Sequence, residues 1–313
     1  MLGIWPVDVK PLALPPGTQV SERMTNPSYD VIVIGAGPAG LAAATRTAQA
    51  GLNTLCLDKL APGGALINLT ELHDVEGATD GPTVASQLTE EATGAGVEIG
   101  FAEVTGLSGN GPWTVSTAEG ESHMGRAVVL ATGLAKGRLN VPDEESFEGR
   151  GLSHCASCDG PLYSGQPVVV AGASGWAPYE AAELKGFTSD VTMIATGTTT
   201  PPAGVTTIDG HIVALEGSNG LQSVVVESGG MRKTIPASAV FVYVGQSPAA
   251  EFAPDSLARS ATGHIVVDED GRTSAAAAFA AGDVRAGARQ YLSDAIADGQ
   301  RAGQAIVAAL KKN

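Results

Sequence analysis

The chain is poor in cysteine, in aromatic residues and in positive charge, and it contains no long apolar run. Three cysteines in 313 residues, Cys56, Cys155 and Cys158, are too few for the disulfide framework of a small secreted domain. A zinc site needs a second ligand pair, and none accompanies Cys155 and Cys158. His73, His123, His154, His211 and His264 are scattered, so no metal is expected. Lys and Arg total 18 against 33 Asp and Glu, a net charge of -15 that repels a phosphate backbone or an anionic bilayer surface. Nucleic acid and membrane are therefore not expected partners. No run reaches the roughly 20 apolar residues of a membrane span, and the first 28 residues lack the charged start and apolar core of a signal peptide. The expected compartment is the cytoplasm.

What is present is enough for two domains, with 43% hydrophobic residues to build a core in each. Residues 1–27, with Pro11, Pro15, Pro16 and Gly17, read as an irregular N-terminal extension. The run Asp30 to Ile34 is a short apolar, β-branched segment, as expected of a strand buried on both faces of a parallel sheet. Gly35-Ala36-Gly37-Pro38-Ala39-Gly40 then opens an alanine-rich helix that Gly51 ends, and Thr54 to Leu57 gives a second strand closing on Asp58. Strand, glycine turn, helix and acid in this register form a dinucleotide-binding βαβ unit. The glycines let backbone approach a pyrophosphate at the helix start, and the acid can accept hydrogen bonds from a ribose. Further strands are predicted at 127–130, 168–171, 191–194, 221–226 and 240–244, and a final helix at 290–310. The pattern is α/β with two sheet-containing modules. Pro142 to Glu145 and Gly245 to Pro248 read as the two linkers of an inserted domain.

Between the modules' glycine turns lies Cys155-Ala156-Ser157-Cys158-Asp159-Gly160. Two thiols at this spacing can close a disulfide and pass two electrons, and an adjacent acid can move the accompanying proton. His154 could lower a neighbouring thiol's pKa, although a lone histidine beside a motif is more often packed or solvated. Cys56, within an apolar strand, reads as a small core residue.

Taken with Pro62-Gly63-Gly64, Ala131-Thr132-Gly133, Gly149-Arg150-Gly151, Gly282-Asp283 and Arg289-Gln290, these motifs occur in the order found in the low-molecular-weight thioredoxin reductases, and the chain resembles that family over most of residues 28 to 313. The resemblance implies two Rossmann-like three-layer domains. A discontinuous FAD-binding domain would comprise 28–142 and 246–313, with a smaller domain carrying the CxxC inserted at 143–245. It places the FAD pyrophosphate on Gly35, Gly37, Pro38 and Ala39, the adenosine ribose near Asp58 and Lys59, and the ribitol near Gly282 and Asp283. Gly64, Ala65, Leu66, Thr132 and Gly133 would also contact the cofactor, and Arg289, Gln290 and Tyr291 would lie near the isoalloxazine edge. It makes Cys158 the thiol that faces the flavin, Cys155 the one that attacks a substrate disulfide, and Asp159 the proton-handling group. It also implies a homodimer.

Two departures bear on the electron source. The second glycine turn reads Gly172-Ala173-Ser174-Gly175-Trp176-Ala177, with Ser174 where NADPH-using members have glycine. A side chain there would push a pyrophosphate away, Trp176 adds bulk, and Pro178 constrains the helix one turn in. Independently, the stretch after Val191 to Ile194 lacks the histidine and arginines that clamp a 2′-phosphate. No Lys or Arg occurs between Lys185 and Arg232. Ala65, where the family commonly has glutamine, departs near the flavin. The resulting expectation is an NADPH-independent FAD disulfide oxidoreductase, with electrons entering from a protein donor such as ferredoxin and leaving to thioredoxin or another disulfide. The alternatives are an oxygen-dependent dithiol oxidase acting on a small molecule and a flavin redox sensor. Asp159 keeps the reductase form of the motif, where dithiol oxidases of the superfamily tend to carry histidine.

Overall fold

β1 (Tyr29–Ile34) lies inside the first sheet because its apolar run leaves no polar face for water, and Val31, Ile32 and Val33 are wholly buried. Helix α1 (Pro38–Gln49), β2 (Thr54–Asp58), α2 (Gly81–Gly94) and β3 (Glu98–Phe101) follow. β4 (Val104–Gly109), β5 (Trp113–Thr117) and β6 (Ser122–Leu130) form an antiparallel meander. The chain then passes through β7 (Leu134–Lys136), β8 (Leu152–Ser153), the short helix α3 (Ala156–Asp159), β9 (Val168–Ala171), α4 (Ala177–Leu184), β10 (Val191–Ala195) and β11 (Thr206–Asp209). A second meander, β12 (His211–Glu216), β13 (Ser223–Ser228) and β14 (Met231–Pro236), leads to β15 (Ala239–Val242). β16 (Gln246–Pro248), β17 (Ala278–Ala280) and α5 (Leu292–Leu310) complete the chain. This computed structural model describes residues 28–69, 72, 80–173, 177–197 and 200–311. The N-terminal extension at 1–27 lies outside them.

The two modules repeat one plan. In the first, β3, β2, β1 and β6 are parallel in that order, and β17 extends the sheet beyond the second half of β6. Alternate residues sort its faces. Val31, Val33, Cys56 and Val129 meet Leu41, Ala43 and Ile306 from the helices, while Ile32, Ile34, Leu55 and Val128 meet Trp113 and Val115 from the meander. In the second, β11, β10, β9, β15 and β8 are parallel. Val170, Met193 and Phe241 pack under Ala177, Ala181 and Leu184 of α4, and Val169, Ile194 and Val240 pack under Leu215, Val224 and Val226. Each is thus helix, parallel sheet and meander, the expected three-layer Rossmann-like arrangement.

The segments read as linkers are ordered rather than loose. Gln246–Pro248 pairs antiparallel with β7, and the buried Glu144 accepts hydrogen bonds from the backbone N–H groups of Leu139 and Asn140, both at 2.9 Å. The strand predicted to reach residue 244 ends at Val242, and the final helix begins at Leu292 rather than 290. Among the described residues no helix is long and apolar enough to cross a membrane.

Helices α1 and α5 touch backbone to backbone. A Cβ on Gly299 would stand 2.0 Å from the Ala39 carbonyl oxygen, and one on Gly303 would stand 2.9 Å from that of Ala43. Gly299→Ala must push the helices apart. It is expected to cost about 1–3 kcal/mol, read as a fall in thermal midpoint; an unchanged midpoint would show that the contact yields freely.

Candidate active site

Three turns converge on the start of α1. Gly35 has φ +101°, and a Cβ there would meet the Ala131 carbonyl oxygen at 2.5 Å; one on Gly40 would meet the Gly35 oxygen at 1.8 Å. These glycines are required by packing. Gly37 differs: it precedes α1 in an extended conformation (φ −73°, ψ −178°), and a Cβ there meets nothing within 4 Å. Pro38 occupies the first helical position, where its missing N–H is not needed. The start of α1 has no side-chain cap and no acid in its first turn. Open backbone N–H groups with the positive end of the helix dipole behind them suit a pyrophosphate.

Asp58 closes β2, its Oδ2 accepting from Ala36 N at 2.8 Å and its Oδ1 from Leu60 N at 3.0 Å. It therefore braces the glycine turn with Oδ2 and its own following segment with Oδ1, leaving acceptor capacity on both oxygens. Lys59 beside it is exposed. Gly63 N donates to the Ala36 oxygen at 2.7 Å, and a Cβ on Gly64 would lie 3.1 Å from Gly37 Cα, so the Pro62–Gly64 turn sits against α1's start. A 3-10 turn (Gly64–Asn68) follows, with Leu66 buried and Ala65 exposed. Gly282 packs on Ala39, bringing Asp283 to the same end of the sheet. Burial, and then the Asp298 carboxylate, push the Asp283 carboxyl above its ordinary range, against the pull of Arg285 and His264. Thr132 Oγ1 donates to the Ala249 oxygen, and Gly133 (φ +65°) accepts from Ala249 N at 3.0 Å.

A cavity of about 310 Å³ brings Asp283 and Gln290 together with His264 and Arg285. Gln290 takes a left-handed φ of +59°. Arg289 points away, donating to both oxygens of Asp294 at 2.7 and 2.6 Å with its guanidinium 5.9 Å from the Tyr291 ring centroid. Those hydrogen bonds hold the Asp294 carboxyl below its usual range.

Cys155 and Cys158 form a closed disulfide across α3, with Cα atoms 5.3 Å apart. Cys155 is half-buried and caps the helix, its sulfur accepting from Cys158 N at 3.3 Å. Cys158 is exposed, and its sulfur lies 3.7 Å from Asn68 Oδ1 of the first module. Asp159 Oδ2 accepts from Ser153 Oγ at 2.6 Å, while that hydroxyl accepts from Cys155 N at 3.1 Å. His154 turns its Nε2 to Glu148 Oε1 at 3.2 Å, away from the disulfide chemistry. Cys56 is fully buried, which pushes its thiol up to about 12 and keeps it protonated. Sequence reasoning missed Ser153, Asn68, Glu180 and Tyr243. Of these only Ser153, two residues before the motif, carried a local signal.

The first glycine of the second turn, Gly172 (φ +135°), is accounted for by packing, since a Cβ there would meet the Tyr243 oxygen at 2.2 Å. Ser174, Gly175 and Trp176 lie outside the described residues. Pro178 lies in α4, which those three residues immediately precede. Beyond β10, Gly197 N donates to Asp209 Oδ1 at 3.0 Å. Thr196, Asp209, His211 and Glu227 line a cavity of about 180 Å³, with His211 opposite Glu227 in the β12–β13 pair.

The model of the pyridine nucleotide-disulphide oxidoreductase family matches residues 29–308. The thioredoxin reductase of Treponema pallidum is 34% identical over 295 residues, covering 88% of this chain and 95% of that protein. Thioredoxin reductase from Lactococcus lactis, solved in its FR conformation, matches with a TM-score of 0.81 at 30% identity, covering 91% of this chain and 100% of that one. A ferredoxin-flavin thioredoxin reductase from Clostridium acetobutylicum matches with a TM-score of 0.53 at 25% identity, covering 91% and 99%.

Proposed function

Because the chain belongs to the pyridine nucleotide-disulphide oxidoreductases, and within them to the thioredoxin reductase family, we propose a route for its electrons that ends at Cys155 and Cys158 but does not begin at a pyridine nucleotide. The protein is a flavoprotein disulfide oxidoreductase whose cofactor is FAD. On our reading, residues 28–142 and 246–313 form the FAD-binding domain and 143–245 the inserted one, and the protein works as a homodimer. Gly35, Gly37, Pro38 and Ala39 hold the pyrophosphate, Asp58 and Lys59 the ribose, and Gly282 and Asp283 the ribitol. Gly64, Ala65, Leu66, Thr132, Gly133, Gln290 and Tyr291 line the rest. Arg289 enters the site only by leaving Asp294.

FAD, when bound, supplies a two-electron carrier on the first module's side of the disulfide. In the reduced pair, the Cys155 thiolate attacks a substrate disulfide, forming a mixed disulfide and releasing one substrate thiolate. The Cys158 thiolate then displaces the second substrate sulfur and restores the Cys155–Cys158 bond. Asp159, oriented by Ser153, carries the protons that the departing thiolates take up.

The observation that carries NADPH independence is the absence of Lys and Arg from the segment after β10. Where NADPH-using relatives would clamp a 2′-phosphate, this chain has no Lys or Arg from 186 to 231; the cavity there is lined by Asp209, His211 and Glu227, and Glu227 is paired with Arg232 at 3.0 Å. The phosphate would lose charge-assisted hydrogen bonds of about 1.5–3 kcal/mol each. The C. acetobutylicum neighbour, named for ferredoxin, supports a protein donor. Anaerobic thioredoxin reduction supported by reduced ferredoxin tests the donor. Turnover is expected with ferredoxin plus this protein and not with either alone; no turnover would remove ferredoxin as the donor.

A further inference from the structure

Behind the disulfide stands a carboxylate that the reaction as described does not use. Glu180 reaches from α4 and accepts hydrogen bonds through one oxygen, Oε2, from Ala156 N at 3.0 Å and from the Tyr243 hydroxyl at 2.7 Å. Ala156 N also lies 3.2 Å from that hydroxyl oxygen, so amide, phenol and carboxylate form a closed triangle. Glu180 and Tyr243 are half-buried, and Ala156 is wholly buried. Burial and the Glu180 carboxylate together push the Tyr243 phenol far above its ordinary range, so it remains a donor throughout. The amide in this triangle is the one that directly follows Cys155.

We propose that Glu180 is a positioning residue for the thiol pair, which ties α3 to α4 and, by fixing a negative charge next to Cys155, keeps that thiol basic and the pair strongly reducing. The chemistry follows from competition for donors. When the disulfide is reduced, a Cys155 thiolate needs nearby N–H and O–H groups. Cys158 N at 3.3 Å and the Ser157 hydroxyl at 3.4 Å face its sulfur, but the Ala156 amide is committed to Glu180. A second anion close to the carboxylate is disfavoured by Coulomb repulsion in a partly buried site. A thiol of higher pKa is intrinsically the stronger nucleophile, and a dithiol whose thiolate is not stabilised is the better reductant. The device therefore favours electrons leaving the pair toward a substrate disulfide.

Other charged or titratable groups also stand around α3. Asp159 faces Cys155 through the Ser153 hydroxyl, but it is present alike in the wild type, Glu180→Gln and Tyr243→Phe, so a change between them reports Glu180; His154 is turned to Glu148, and Tyr163 packs edge-on against Phe241. Glu183, also on α4, is itself raised by burial and then by Glu180.

The inference rests on the reading of Cys155 as the outward-attacking thiol. Its test does not depend on the donor, because the holoenzyme is reduced with dithionite. Under argon, the rate of Cys155 alkylation by iodoacetamide is followed over about pH 6–10 by peptide mass spectrometry. FAD absorbance confirms that each variant is folded. Glu180→Gln keeps an acceptor for both hydrogen bonds and removes the charge. It is expected to lower the alkylation midpoint by about one pH unit, tenfold in the dissociation constant. Tyr243→Phe keeps the charge and removes one donor to it, so its midpoint is expected to stay or rise. The opposite responses separate charge from anchoring. A wild-type midpoint in Glu180→Gln, or an equal fall in both variants, overturns the proposal.

Discussion

Cys158→Ser is expected to retain FAD and its visible spectrum while disulfide reduction falls by about three orders of magnitude or more. The expectation comes from the two sulfurs' unequal surroundings. Cys158 is exposed and stands 3.7 Å from Asn68, in the 3-10 turn that begins at Gly64 against α1's start. Cys155 is half-buried and beside Ala156 N, which is bound to Glu180 of the second module. On the proposed route, electrons arriving from the first module meet Cys158 first, and a serine oxygen cannot accept them by breaking a bond to sulfur. Cofactor binding is untouched, because the residues that converge on α1 belong to another module. Disulfide reduction persisting in this variant, measured with dithionite-reduced enzyme and thioredoxin, would refute the assignment of the two thiols.

The second large effect is predicted for Gly37→Val. Its backbone is extended, a region valine adopts readily, and an added Cβ meets no atom within 4 Å. Folding stability measured in urea is therefore expected to change by less than about 0.5 kcal/mol. The side chain would nevertheless occupy the open space over the N–H groups at the start of α1, where a pyrophosphate would be held. Losing one or two charge-assisted hydrogen bonds predicts FAD binding weaker by roughly a hundredfold. Gly35 and Gly40 would not separate these effects, since a Cβ on either collides with backbone. A Gly37→Val protein that binds FAD with unchanged affinity would place the pyrophosphate elsewhere.

The parts of this molecule legible in its sequence are those whose cause is local. β1, α1 and β2 were readable because an apolar run, a glycine turn and an acid fall within one βαβ unit, and each acts over a few residues. The CxxC and its acid were readable for the same reason. Gly299 was not, because its need for glycine arises from Ala39, far away in sequence. The Glu180–Tyr243–Ala156 triangle joins residues 24 and 87 positions apart, and no periodicity reports such a contact before the sheet is assembled. Glu144 carries a role the run does not announce: within the Pro-Asp-Glu-Glu stretch it is buried and accepts from two backbone N–H groups. The bonds of Asp58 to Ala36 N and Leu60 N give it a bracing role that the motif alone does not reveal.

The claim on which the account turns is that reducing equivalents do not enter through a nicotinamide. Anaerobic titration of the purified holoenzyme with NADPH and then NADH, followed by flavin absorbance, tests it most directly. The missing cationic clamp after β10 predicts that NADPH leaves the flavin oxidised, and Ser174, whose side chain would oppose a pyrophosphate in the second glycine turn, extends the expectation to NADH, while dithionite bleaches it. Prompt bleaching by a stoichiometric amount of NADPH would contradict the account and make this an NADPH-dependent thioredoxin reductase.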